Sequence, residues 1–121
     1  MFGISAAVPG LEAGIDYRII GEHWSSLIIA GKNSRCFWFA FKKMDQKYSL
    51  PNIPRFKEED QDAFVKLWRK RSINGQVTFG DIWGRKITSV LLPLEEGQYE
   101  HWALDRFACL GDSIHKMTPN A

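Results

Sequence analysis

The run Cys36-Phe37-Trp38-Phe39-Ala40-Phe41 constrains the fold more than any other stretch of the chain. Side chains alternate across a strand, so Phe37, Phe39 and Phe41 share one face while Trp38 and Ala40 share the other. Both faces are apolar, which predicts that both are covered. Trp24 through Ala30 is a second β-rich run, and the polar stretch Gly31-Lys32-Asn33-Ser34-Arg35 between them reads as a turn. The two runs predict a hairpin. Asp16-Tyr17-Arg18-Ile19-Ile20 predicts a shorter strand ahead of it, and Pro9-Gly10 and Gly14 mark Ser5 to Gly14 as loop.

Beyond the hairpin, Lys42 to Lys57 is polar and carries Pro51 and Pro54, so it reads as a long connection with little regular structure. Glu58 to about Arg71 is the one good helix, with Phe64, Leu67 and Trp68 recurring at three and four residues on one face. Acids (Glu58, Glu59, Asp60, Asp62) open it and bases (Lys66, Arg69, Lys70, Arg71) close it, the order that a helix dipole favours. Ser72 to Gly75 reads as a turn and Thr78 to Trp83 as a short helical turn. Ile87 to Leu94, Tyr99 to Ala103 and Arg106 to Leu110 read as strands, with Gly97 a turn. The sum is an α+β fold, an antiparallel sheet with one main helix, in a single domain spanning residues 1–121.

Composition narrows the function classes. Apolar residues make up 45% and charged residues 25% of the 121, which fits a globular chain rather than a disordered one. The net charge is +2 with Lys and Arg scattered among Asp and Glu, so no nucleic-acid partner is expected. Cys36 and Cys109 each sit in an apolar run and are expected to be buried free thiols, which points weakly to an intracellular, cytoplasmic setting. No Cys/His spacing suits a metal, and three separate histidines do not make a metal site. Met1 to Ser5 lacks the basic start and apolar stretch of a signal peptide, and no run is long enough to span a membrane.

Single residues that could carry chemistry each have a plainer reading. His115 could shuttle a proton, but no carboxylate or nucleophile is placed beside it in sequence. His23 and His101 each neighbour a tryptophan and read as structural. Ser25 and Ser26 lack the Gly-x-Ser-x-Gly turn of a nucleophile elbow. The aromatic residues Tyr17, Trp24, Phe37, Trp38 and Phe39 either pack an ordinary core or line a wall for an apolar ligand, with Tyr17 and Trp24 the first candidates for that wall.

The end of the chain is the most specific stretch. Leu110-Gly111-Asp112-Ser113-Ile114-His115-Lys116-Met117-Thr118-Pro119-Asn120-Ala121 resembles the second flavin fingerprint of the para-hydroxybenzoate hydroxylase superfamily. Phe2-Gly3-Ile4-Ser5, Pro9-Gly10-Leu11, Phe37-Trp38-Phe39, Pro54-Arg55-Phe56, Thr78-Phe79-Gly80-Asp81-Ile82-Trp83 and His101-Trp102 look like landmarks of one branch. That branch is the fungal FAD-dependent epoxidases acting on meroterpenoids, indole diterpenes and polyene polyketides. The resemblance covers Phe2 to Ala121.

The resemblance implies an epoxidase or hydroxylase of fungal secondary metabolism, with this chain matching the substrate-binding middle segment, truncated at both ends. It implies cofactor contacts at Gly111, Asp112 and Pro119, with Asp112 accepting from a ribityl hydroxyl of FAD. Residues 110–121 would be the start of that second FAD-contact motif, leading into a helix whose N-terminus faces the flavin. Tyr17 and His115 remain the catalytic candidates, and the substrate is a hydrophobic small molecule.

The Gly-x-Gly-x-x-Gly turn that holds the pyrophosphate in that family does not occur in these 121 residues. One charged hydrogen bond contributes about 1.5–3 kcal/mol, whereas micromolar binding needs about 8 kcal/mol. The chain alone is therefore expected to hold FAD poorly, and a companion flavin domain or a homodimer is the expected partner. Two further readings stand beside this one: a flavin-free cyclase or isomerase using the same pocket, and an inactive remnant serving as a binding module.

Overall fold

The computed structural model describes residues 1–119, so Asn120 and Ala121 of the fingerprint lie outside the described residues. The fold is α+β: a five-stranded antiparallel sheet with one main helix against one of its faces. The strands are β1 (Phe2–Ser5), β2 (Asp16–Gly21), β3 (Trp24–Ala30), β4 (Cys36–Lys42) and β5 (Lys86–Val90), in spatial order β2-β3-β4-β1-β5. The predicted hairpin is β3–β4, pairing Trp24 with Lys42 and Ala30 with Cys36. Its turn is a single 3-10 turn, Lys32–Ser34, in which Asn33 and Ser34 take left-handed φ of 59° and 54°. Asparagine tolerates that conformation better than most residues, which suits the polar stretch between the two runs.

β1 was not expected from the sequence, because four residues with a glycine inside give little β signal. The glycine is what lets it in. A Cβ on Gly3 would lie 2.3 Å from the Trp38 ring, so only a bare backbone fits between the indole and β5. β1 thereby joins β4 to β5, placing Ile4 opposite both Phe37 and Thr88.

The main helix is α1 (Glu58–Trp68), followed by the short α2 (Phe79–Trp83). The Asp60 carboxylate accepts the Lys57 backbone N–H at 2.7 Å, satisfying one orphan donor at the start of α1. Its inward residues are Phe64, Val65 and Trp68, while Leu67 is 66% exposed. The expected apolar face held at Phe64 and Trp68 and missed Val65, since one turn of a helix cannot turn Leu67 and Phe64 equally inward when the sheet contacts a narrow stripe.

The core lies between the helices and the face of the sheet that carries Ile28, Cys36, Trp38 and Ala40. Trp38 is at its centre, edge-on to Phe79 at 5.3 Å and to Trp83 at 6.1 Å. Trp68 meets Phe79 at 5.7 Å and Trp24 at 5.3 Å, and stacks on Phe64 at 5.1 Å. Its polar closure runs through Ser5. The Trp38 indole N–H donates to Ser5 Oγ at 2.9 Å, and that hydroxyl donates to the Ile82 carbonyl at 2.8 Å. A buried ring nitrogen and a helix-end carbonyl are satisfied by one side chain.

After β5 the structure departs further from the sequence reading. The expected long strand stops at Val90, and in place of two strands there are three short pieces. They are β6 (Gly97–Gln98), β7 (Ala103–Leu104) and β8 (Phe107–Ala108), followed by β9 (His115–Lys116), which pairs with β6. Residues 101–110 are all exposed, including Cys109, which corrects the expectation that both thiols are buried. Among the described residues β7 and β8 pair only with each other, and the hairpin's Leu104 and Phe107 stand largely exposed.

Candidate functional site

The expectation that both faces of β4 are covered is corrected by the structure. Trp38 is 0% exposed and Phe37 is 40% exposed, although they are neighbours in one strand. Helices α1 and α2 cover one face, and Leu92, Leu94 and Pro119 flank part of the other. This open face presents Phe2 and Ile4 from β1, Leu27 and Ile29 from β3, and Phe37, Phe39 and Phe41 from β4.

The phenyl rings on that face form a ladder. Phe2 and Phe39, directly opposite one another across β1 and β4, stack with centroids 5.9 Å apart. Phe39 and Phe41 stack at 5.9 Å with their planes 5° apart. With the Phe2 and Phe39 planes 30° apart, the three rings make a continuous apolar platform. Leu92 and Leu94 rise beside it from the segment after β5, and Pro119 approaches from the end of the described chain. Together with Met1 they enclose a cleft of about 200 Å³. Its lining is almost wholly carbon, which is how sites for apolar molecules are built.

The five aromatic residues singled out from the sequence fall on both sides of the sheet. Phe37 and Phe39 are on the open face. Tyr17, Trp24 and Trp38 are on the helix-covered face, packed with or inside the core. The Tyr17 hydroxyl accepts the Glu12 backbone N–H at 2.9 Å. Trp24 lies under the Arg71 guanidinium, 3.9 Å from its centroid. Phe2, Phe41, Leu92 and Leu94 line the cleft without having been singled out. Phe41 was legible in principle, since it alternates in register with Phe37 and Phe39. Phe2 was not, because its strand was not expected.

The Gly-Asp segment forms a 3-10 turn, Gly111–Ser113, with Gly111 at φ +60°. Ile114 behind it is buried and its carbonyl accepts the Tyr99 N–H at 2.9 Å, while Lys116 pairs with Glu95 at 3.3 Å. These contacts fix the turn against β6. Asp112 is exposed, and its carboxylate makes no hydrogen bond or ion pair among the described residues. It is thus free to accept a hydroxyl, which fits one flavin contact and no more. His115 is exposed in β9, with no side-chain partner among the described residues. Tyr17 and His115 lie on separate elements, β2 and β9, which the sheet order does not bring together.

Burial acts on two ionisable groups. It pushes the Cys36 thiol up to about 11, and it lowers the Met1 amine, whose N–H donates to the Ala40 carbonyl at 2.8 Å, to about 6. Among the described residues no cluster of His, Cys, Asp or Glu could hold a metal ion, and no helix is long and apolar enough to cross a membrane.

A sheet packed on one side by helices and bearing stacked aromatic rings on the other defines an α+β domain with an open apolar face. The relatives of the chain are fungal FAD-dependent monooxygenases. It is 41% identical over 123 residues to the FAD-dependent monooxygenase anuJ of Penicillium roqueforti, covering 99% of this chain and 15% of that protein. Against olcE of Penicillium canescens the identity is 42% over 120 residues, covering 99% of this chain and 26% of the relative. Against adrH of Penicillium rubens it is 39%, again over 99% of this chain and 27% of the relative. The chain therefore spans about a quarter or less of the curated relatives it matches. No family model matches the chain, and no solved structure matches it.

Proposed function

We propose that this chain is the substrate-contacting part of a FAD-dependent monooxygenase of the epoxidase or hydroxylase type, working in fungal secondary metabolism. Its role is to present a flat apolar substrate on the Phe2–Phe39–Phe41 platform. The observation that carries this reading is the open sheet face, where three stacked phenyl rings stand outside the core. A chain of this size ordinarily buries such rings, so leaving them out makes sense where a ligand or a neighbouring domain covers them. FAD, when bound, supplies the activation of oxygen. The residues of this chain that fit it are Gly111 and Asp112, with Pro119 at the rim of the cleft.

One available carboxylate is too little to hold a dinucleotide. Alone, the chain binds FAD weakly, and a companion flavin domain completes the site. The exposed hairpin at residues 101–110, with Leu104 and Phe107 uncovered, supports such a companion, because isolated apolar hairpins are poorly stable in water. The flavin-free cyclase finds less support, since the Tyr17 hydroxyl is engaged by the Glu12 backbone N–H and makes no hydrogen bond to a carboxylate among the described residues.

The test is a pair of titrations on the purified chain. A planar apolar fluorophore such as diphenylhexatriene should bind saturably, and Phe39→Asp should abolish that binding while leaving the circular dichroism spectrum unchanged. FAD should show no saturable fluorescence quenching in the low micromolar range. Equal fluorophore binding by Phe39→Asp and the parent chain would remove the platform as the site. Low-micromolar FAD binding that is lost in Asp112→Ala would overturn the need for a companion.

A further inference from the structure

The sheet has two outer strands, and they are finished differently. β2 carries Asp16 and Arg18, both exposed and paired at 2.6 Å. Charges of this kind keep an edge strand from pairing with another chain. β5, at the opposite edge, carries Ile87-Thr88-Ser89-Val90, uncharged and mostly β-branched. Its one cation, Lys86, lies over the Trp83 ring at 4.3 Å. Ile87 is 57% exposed, and among the described residues no strand pairs with the outer side of β5. β5 is an edge ready to accept a strand.

Beside it lies a groove of about 340 Å³ between α1 and β5. Glu58 and Asp62 line it from the helix, and Lys86, Ile87 and Ser89 from the strand. Ser89 donates to the Gln61 side chain at 3.0 Å, which fixes the helix over the strand. Glu58 and Asp62, one helical turn apart, form no ion pair with Lys86 among the described residues. The groove thus holds both signs of charge, with the Lys86 ammonium resting on the Trp83 ring rather than on a carboxylate.

We propose that β5 joins two copies of this chain edge to edge and antiparallel, about a two-fold axis near Thr88, with Lys86 of each copy meeting Glu58 and Asp62 of the other. A two-fold contact requires one patch that complements itself, and a groove with a cation at one end and carboxylates along its wall meets that requirement. Pairing about Thr88 sets Lys86 opposite the other copy's Val90, the residue after Ser89. Next to Val90, on the helix-covered face, Ser89 donates to Gln61, and Glu58 and Asp62 of the same helix line the groove along the strand. The surface shares no side chain with the aromatic cleft, so it stands or falls separately from the substrate reading. Two five-residue edges bury less than a standard interface, so the association is weak, with a dissociation constant between about 10 μM and 1 mM.

Sedimentation of the full chain over that range tests it. A concentration-dependent monomer–dimer equilibrium is expected. Lys86→Glu alone, and Glu58→Lys with Asp62→Lys, should each weaken it at least about tenfold, and mixing the two variants should restore a heterodimer. All three positions are exposed, so the variants should fold, which circular dichroism checks. Ile87→Lys, which charges the edge itself, should also leave a monomer. A monomer throughout the range overturns the proposal, and so does a dimer indifferent to these charges. It is equally overturned if the chain stays monomeric while the groove binds a basic extended peptide.

Discussion

Trp38 and Phe37 are adjacent, both aromatic and both in β4, yet one is sealed under two helices and the other stands in solvent. The helix-covered face has every mark of a core: perpendicular ring contacts, a shared hydroxyl satisfying two polar groups, and glycine where the indole needs room. The opposite face has equally apolar side chains, flanked by Leu92, Leu94 and Pro119, and neither α1 nor α2 covers it. Hydrophobicity does not distinguish the two faces. Connectivity does, because the chain supplies helices between β4 and β5 and sends both to the same side. Which face stays open is therefore decided by where the chain sends its helices, not by the residues of β4.

The two cysteines sharpen this contrast by the largest factor. Cys36 lies on the covered face with its thiol pushed up to about 11, while Cys109 lies on the exposed hairpin. Alkylation of the native chain should consume one thiol quickly, and the second should react slower by about a thousandfold or more, because it awaits global opening worth about 5 kcal/mol or more. Both should react at once in denaturant. Fast modification of Cys36 in the native chain would mean that the covered face is not covered.

Next in size is the pair of substitutions Trp38→Ala and Phe37→Ala. The first empties the centre of the core and should cost about 3–5 kcal/mol in urea unfolding. The second removes a ring already partly in water and should cost less than about 1.5 kcal/mol. Equal costs would break the comparison. Ser5→Ala should fall between them, at about 1–3 kcal/mol, since it leaves the Trp38 N–H buried without its acceptor. Ser5→Thr keeps the hydroxyl but adds a methyl group to a fully buried site, so rescue should be partial.

Much of the covered face was readable from the chain, and the open face was readable only in part. The β3–β4 hairpin follows from period-two alternation around a polar turn, and α1 from its three-and-four spacing and its acid-to-base order. These signals are local. β1 gave none, because its four residues are a strand only by virtue of lying between β4 and β5, with Gly3 under the Trp38 ring. Which face of β4 would be covered is likewise a tertiary matter, set by the side to which the 43–57 connection leads. That is why Trp38 and Phe39 both stand as candidates for the wall although alternation sets them on opposite faces, and why Leu92 and Leu94 read as strand rather than as the side of a cleft. The Gly-Asp turn was legible as a motif because its residue types are rare in that order, but its exposure was not.

The smallest effect belongs to α2, whose start closes the covered face under Trp38. Asp81 accepts from the Thr78 hydroxyl at 2.7 Å and from the Thr78 backbone N–H at 2.8 Å. The side-chain hydrogen bond first, and the backbone one second, hold its carboxyl below the ordinary value of 3.8. A carboxyl depressed in the folded state stabilises the fold above its unfolded value, and that contribution fades as pH falls through the folded value. Stability should therefore lose a small increment as pH drops below about 4, and Asp81→Asn should lack that increment while keeping the rest of the acid limb. If Asp81→Asn instead tracks the parent chain at every pH, the cap contributes nothing, and the closure of the covered face rests on the rings and Ser5 alone.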